Sequence, residues 1–128
     1  MSACNIQITT TADGVETRFS QRGVWTALSA VEIRLEYEEE QARVQIVIGE
    51  NGVQIHRLGD YTLDLTLKQG ETLRGSLGIG GASGEVFTKT ERLEYLLKEN
   101  SALLLASYDL IVSGEIQKMK IRLKAEQI

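Results

Sequence analysis

The sequence predicts an all-β protein, a closed antiparallel up-and-down β-barrel of about eight to ten strands. Three observations carry this expectation. Apolar residues recur with a period of two along most of the chain, residues that favour tight hairpins fall between the alternating runs, and so many short strands leave bare edges unless the sheet closes on itself.

Taken in order, strands are expected near 4–11, 15–22, 24–30, 31–38, 43–49 and 53–58, then near 61–68, 72–79, 84–90, 92–98, 102–112 and 115–125. Some neighbours in that series are one long bent strand. In the fourth run Val31, Ile33, Leu35 and Tyr37 alternate with Glu32, Arg34, Glu36 and Glu38. Val44, Ile46 and Ile48 follow, then Val53 and Ile55, then Leu63, Leu65 and Leu67 against Asp64, Thr66 and Lys68. The last run sets Met119, Ile121 and Leu123 against Lys118, Lys120, Arg122 and Lys124. Successive strand side chains point to opposite faces, so each run buries one face and wets the other, as antiparallel sheets do. Ala12-Asp13-Gly14, Glu50-Asn51-Gly52, Lys68-Gln69-Gly70 and Ser113-Gly114-Glu115 supply the corners. Only Gly84–Leu97 competes as a helix, through the spacing of Leu93, Leu96 and Leu97. The β-branched and aromatic residues Val86, Phe87, Thr88 and Thr90 favour a strand. An open sandwich is the alternative architecture.

Composition bounds the rest. A chain of 128 residues fits one domain and buries enough surface to fold without staples. One cysteine, Cys4, excludes an intrachain disulfide and fits a reducing compartment, and the first residues carry no signal-peptide pattern, so a cytoplasmic location is expected. The wholly apolar run Leu103–Ala106 is far short of the roughly 20 residues of a membrane helix. A net charge of −4 argues against non-specific nucleic-acid binding, and the basic residues between Lys118 and Lys124 read as the wet face of a strand.

From Tyr37 onward the chain resembles the bacterial YwiB-like family. The resemblance rests on Tyr37-Glu38-Glu39, Val53-Gln54-Ile55-His56-Arg57-Leu58-Gly59, Gly84-Glu85-Val86-Phe87-Thr88-Lys89-Thr90, Tyr108-Asp109-Leu110 and Met119-Lys120-Ile121-Arg122-Leu123. It implies a lipocalin-like barrel of the calycin group. The family has no established activity, so the resemblance speaks to fold and leaves function open.

Arg57 is the most informative candidate. It shares a strand face with Val53 and Ile55, and a guanidinium turned inward must find a carboxylate, carbonyls or a ligand anion. Two readings stand: an anchor for an acidic ligand at the barrel mouth, or an internal ion pair closing one end, with Glu39 or Asp109 as partner. Thr88 and Thr90, in phase with Val86, turn hydroxyls inward, and Tyr108 and Tyr37 can hang phenols at a cavity rim. These five residues form the expected ligand site for a small amphipathic or anionic molecule. A barrel filled by side chains, meeting a protein partner or a second copy of itself, is the alternative; Val47, Leu58, Leu96 and Leu104 are its expected outer apolar residues.

Gly23-Val24-Trp25 is similar to the Gly-x-Trp of lipocalins, which implies an indole at the barrel base packed on Arg122 or Lys124. Other chemistry finds little support. His56 is the single histidine and is out of phase with the interior, no Cys/His spacing fits zinc, and no Gly-x-Ser-x-Gly elbow occurs. The glycines of Gly78–Gly84 lack the sixth-place glycine and following helix of a dinucleotide loop, leaving a flexible turn. No cofactor or metal is called for.

Overall fold

The computed structural model describes all 128 residues as ten antiparallel strands and no helix. They are β1 (Ser2–Ala12), β2 (Val15–Ser29), β3 (Glu32–Glu39), β4 (Ala42–Gly49) and β5 (Gly52–Gly59), then β6 (Tyr61–Leu67), β7 (Thr72–Ile79), β8 (Ala82–Leu97), β9 (Ser101–Val112) and β10 (Glu115–Gln127). Each strand pairs with its sequence neighbours, and β1 pairs with β10 to seal a barrel. The closed antiparallel barrel read from the alternation is therefore the fold.

The hairpin chemistry explains the connections. Asp13-Gly14, Gly80-Gly81 and Ser113-Gly114 all carry positive φ at both central positions, the backbone a two-residue hairpin needs to match strand twist. Two pairs of expected strands merge. The runs near 15–22 and 24–30 are one strand, β2, and those near 84–90 and 92–98 are one strand, β8. β2 passes through Gly23, where a side chain would meet the Glu36 carbonyl oxygen and the Ile6 side chain, each at 2.5 Å. β8 passes through a bulge between Thr90 and Arg92. The Gln69 side chain holds that bulge, donating to the Glu91 carbonyl at 2.8 Å and accepting from the Leu93 amide.

The bulge reverses phase along β8: Val86, Thr88 and Thr90 are buried before it, whereas Leu93 and Leu97 pack on the core after it. The interior is a single cluster of side chains contributed by Cys4, Ile6, Trp25, Leu35, Ile48, Leu67, Leu104, Leu123 and their neighbours. Two expected faces are corrected. Val31 is half exposed because it lies in the β2–β3 turn, and Leu104 is buried, with Leu103 and Leu105 exposed in its place.

The closure is incomplete at one end. β2 pairs with β1 over its whole first half but meets β3 only from Val24 onward, so Val15–Gly23 leave a seam between β2 and the end of β3.

Candidate functional site

The seam opens into a pocket of about 500 Å³. Its floor is apolar: Ile8 from β1, Phe19 from β2 and Tyr37 from β3, with the Phe19 and Tyr37 rings 5.4 Å apart and tilted. Its rim is polar, with Thr10, Thr17, Glu39, Glu40, Arg57 and Asp60. Each floor residue faces inward because its strand alternates, and the seam gives that floor access to solvent. The Gln21 side-chain amide donates to the Glu38 carbonyl, the one polar tie across the gap at its closed end.

Arg57 forms the wall. It shares an inward cross-strand row with Tyr37, through the pairs Tyr37–Val44 and Val44–Arg57, so the two lie about 10 Å apart. Its guanidinium meets the Asp60 carboxylate at 2.8 Å and Glu39 at 3.5 Å, donates to the Tyr61 carbonyl at 2.8 Å, and stacks 3.7 Å over the Tyr61 ring. Partial burial opposes its charge, but the hydrogen bond to Asp60 and the neighbouring acids outweigh that, and its pKa lies above the ordinary value. The same hydrogen bond holds the Asp60 carboxyl below its ordinary range. Glu39 is thus one of the two partners foreseen for Arg57. Asp109 is not: it pairs with Lys118 at 3.1 Å. Asp60, in the exposed β5–β6 corner, was not foreseen.

Burial raises the Tyr37 phenol, the Glu39 carboxylate adds to the rise, and Arg57 only partly offsets it, so the phenol stays neutral. Three carboxylates, Glu39, Glu40 and Asp60, share the rim with one guanidinium, leaving it net acidic.

Of the five sequence-predicted site residues, the pocket brings together Tyr37 and Arg57. Thr88, Thr90 and Tyr108 are elsewhere, on the inner face of β8 and β9 and within the packed core. Thr88 and Thr90 are each 1% exposed. The Thr88 hydroxyl donates to the Thr66 carbonyl at 2.7 Å, whereas the Thr90 Oγ1 has no partner in the protein. Thr90 pairs directly with Tyr108 across the ladder, and burial pushes the Tyr108 phenol up to about 12. The pocket residues that sequence reasoning missed include Ile8 and Phe19 on the floor and Thr10, Thr17 and Asp60 on the rim. An odd-numbered inward phase in Thr17, Phe19 and Gln21 was available as a signal, but polar residues dilute the alternation there.

Trp25 is buried, as the Gly-x-Trp likeness implied, but its expected partners are not there: Arg122 and Lys124 face outward. His56 also faces outward and contacts Asp64, whose other carboxylate oxygen accepts from Ser76 at 3.3 Å. Aspartate bridges the two, so the hydroxyl does not meet the imidazole, and the order required for nucleophile activation is absent. No cluster of histidine, cysteine and carboxylates has the makings of a metal site. No helix is long and apolar enough to cross a membrane.

A family model described as "Domain of unknown function (DUF1934)" matches residues 2–124. Among solved structures, the crystal structure of the ywiB protein from Bacillus subtilis is similar, with a TM-score of 0.86 and 16% identity over 99% of this chain and 92% of that one. At that identity the likeness speaks to the fold, and it bears out the YwiB-like resemblance. No curated protein matches the chain.

Proposed function

The chain belongs to the DUF1934 family, a domain of unknown function, and from that premise we propose that it is a small binding module of the cytoplasm that takes an amphipathic molecule at the seam between β2 and β3. The observation that supports this reading is the pairing of an apolar floor, Ile8, Phe19 and Tyr37, with a hydrogen-bonding rim at the gap between β2 and β3. Pockets that bind small molecules share this plan, mostly apolar with a few convergent polar groups. The free, buried Cys4 fits a reducing compartment.

Charge separates the two ligand classes that sequence reasoning left open. An anionic ligand would have to displace Asp60 or Glu39 from Arg57 and enter beside Glu40. An amphiphile with a neutral or cationic head meets no such cost, and its head can reach the same carboxylates. The test is a titration of the protein with decylamine, decanol and decanoate, followed by thermal shift and by line broadening at Phe19. Decylamine or decanol is expected to raise the melting temperature and decanoate to have little effect; Phe19→Ala should weaken the response. Failure of all three to bind, or tightest binding by decanoate, would sink the proposal.

A second reading has one observation behind it. Leu96 and Leu103 face each other on the outside of β8 and β9, 50% and 45% exposed, with Leu105 beside them. A second copy or another protein covering this patch would show as a concentration-dependent mass in sedimentation equilibrium.

A further inference from the structure

The outer face of β2, β1, β10, β9 and β8 is concave and forms a trough of about 860 Å³, larger than the seam pocket and sharing only Phe19 with it. Cross-strand register sets its contents row by row. One row runs Arg18, Thr9, Arg122, Leu105, Glu94; the next runs Glu16, Thr11, Lys120, Ser107, Arg92. Four cations against two carboxylates, Glu16 and Glu94 at the two edges, therefore stand along these rows in a chain whose net charge is −4.

The two central cations are the informative ones. Neither Lys120 nor Arg122 has a carboxylate within ion-pair distance, although Lys118 and Lys124 on either side of them are paired with Asp109 and Glu126. Both lie on the outward phase of β10, about 7 Å apart, so their long side chains can converge on one group between them. Hydroxyls flank them on both neighbouring strands: Thr9 and Thr11 on β1, Ser107 on β9. At the two edges Arg18 and Arg92 are held only by exposed pairs, each 2.9 Å from Glu16 and Glu94, which water screens and an incoming anion can replace. A guanidinium, an ammonium and several hydroxyl donors around one concavity are the chemistry that holds phosphate oxygens.

We infer that this trough binds a compact, multiply phosphorylated small molecule, with Lys120 and Arg122 as its central contacts. A nucleic-acid strand fits less well. Phe19, the one aromatic residue in the lining, belongs to the inward phase of β2, so no ring stands outward in these rows to stack a base.

The experiment is isothermal titration of the full chain with inorganic tripolyphosphate at low salt, set beside an oligothymidylate strand. Lys120→Gln with Arg122→Gln is expected to weaken tripolyphosphate binding by about tenfold or more, because it removes two charge-assisted contacts. Arg43→Gln with Lys98→Gln removes the same charge from elsewhere on the surface and should leave affinity within about twofold of the parent. All four side chains are on the outside, so circular dichroism and melting temperature should be unchanged. Absence of tripolyphosphate binding overturns the inference, as does equal weakening by the two double variants. Tighter binding of the oligothymidylate than of tripolyphosphate overturns it too.

Discussion

Replacing each of the two inward threonines of β8 by valine should move stability in opposite directions. Both side chains are 1% exposed, and valine keeps the branched shape while exchanging hydroxyl for methyl, so packing changes little. Thr88→Val removes a hydrogen bond of 2.7 Å to the Thr66 carbonyl, a net loss of about 1–2 kcal/mol. Thr90→Val removes a buried hydroxyl without a protein partner and should gain about 1 kcal/mol, the lower end of the cost of an unsatisfied group. The two variants then differ by about 2–3 kcal/mol. With a urea slope of about 2 kcal/mol/M, their unfolding midpoints should be about 1 M apart, with the parent between them. Trp25, the single tryptophan and 4% exposed, supplies the fluorescence signal. A Thr90→Val midpoint at or below that of Thr88→Val would refute the reasoning, because the Thr90 hydroxyl would then be satisfied in solution.

Two further outcomes follow from the barrel wall. Arg57→Met should lower stability by about 1–2 kcal/mol through the lost Tyr61 carbonyl bond and ring stacking, measured by urea unfolding at neutral pH. Its pH dependence has a definite sign. Asp60 is held below its ordinary 3.8, so its contribution is present above that value and fades as pH falls through the lowered one; the gap between parent and variant should narrow only below about pH 4. A gap that stays constant down to pH 2 would argue against the pair. Gly23→Ala should destabilise by about 1–3 kcal/mol, because its methyl would meet the Glu36 carbonyl oxygen and Ile6 at 2.5 Å. A melting temperature equal to the parent's would show that β2 can bend there by other means.

Most of the fold was legible because a period of two reports which face of a strand a residue occupies. It fails where the alternation has no sign. Leu103–Ala106 are all apolar, so nothing in that run alone marks Leu104 as inside; the phase is set by Tyr108 further along β9. It fails again at Val31, which a turn removes from the strand. The period also says nothing of depth along the barrel. Tyr37, Thr88, Thr90 and Tyr108 are buried and Arg57 is half-buried on the same inward phase, yet only Tyr37 and Arg57 meet at the seam. The seam itself, and Asp60 at its rim, depend on where β2 leaves β3, a matter of register between strands that no single segment encodes.

Nine of the ten ladders join strands that are consecutive in the chain, and each can zip up from its own hairpin. The tenth, between β1 and β10, pairs Cys4 with Gln127 and cannot begin until residues more than a hundred positions apart have met. Until that contact forms, the growing polypeptide is an open ribbon with two adhesive margins, able to add a strand from another molecule in place of its own. The kinetics of acquiring the native state should therefore be governed by this one non-local event, and the interval before it is when the protein is most exposed to aggregation.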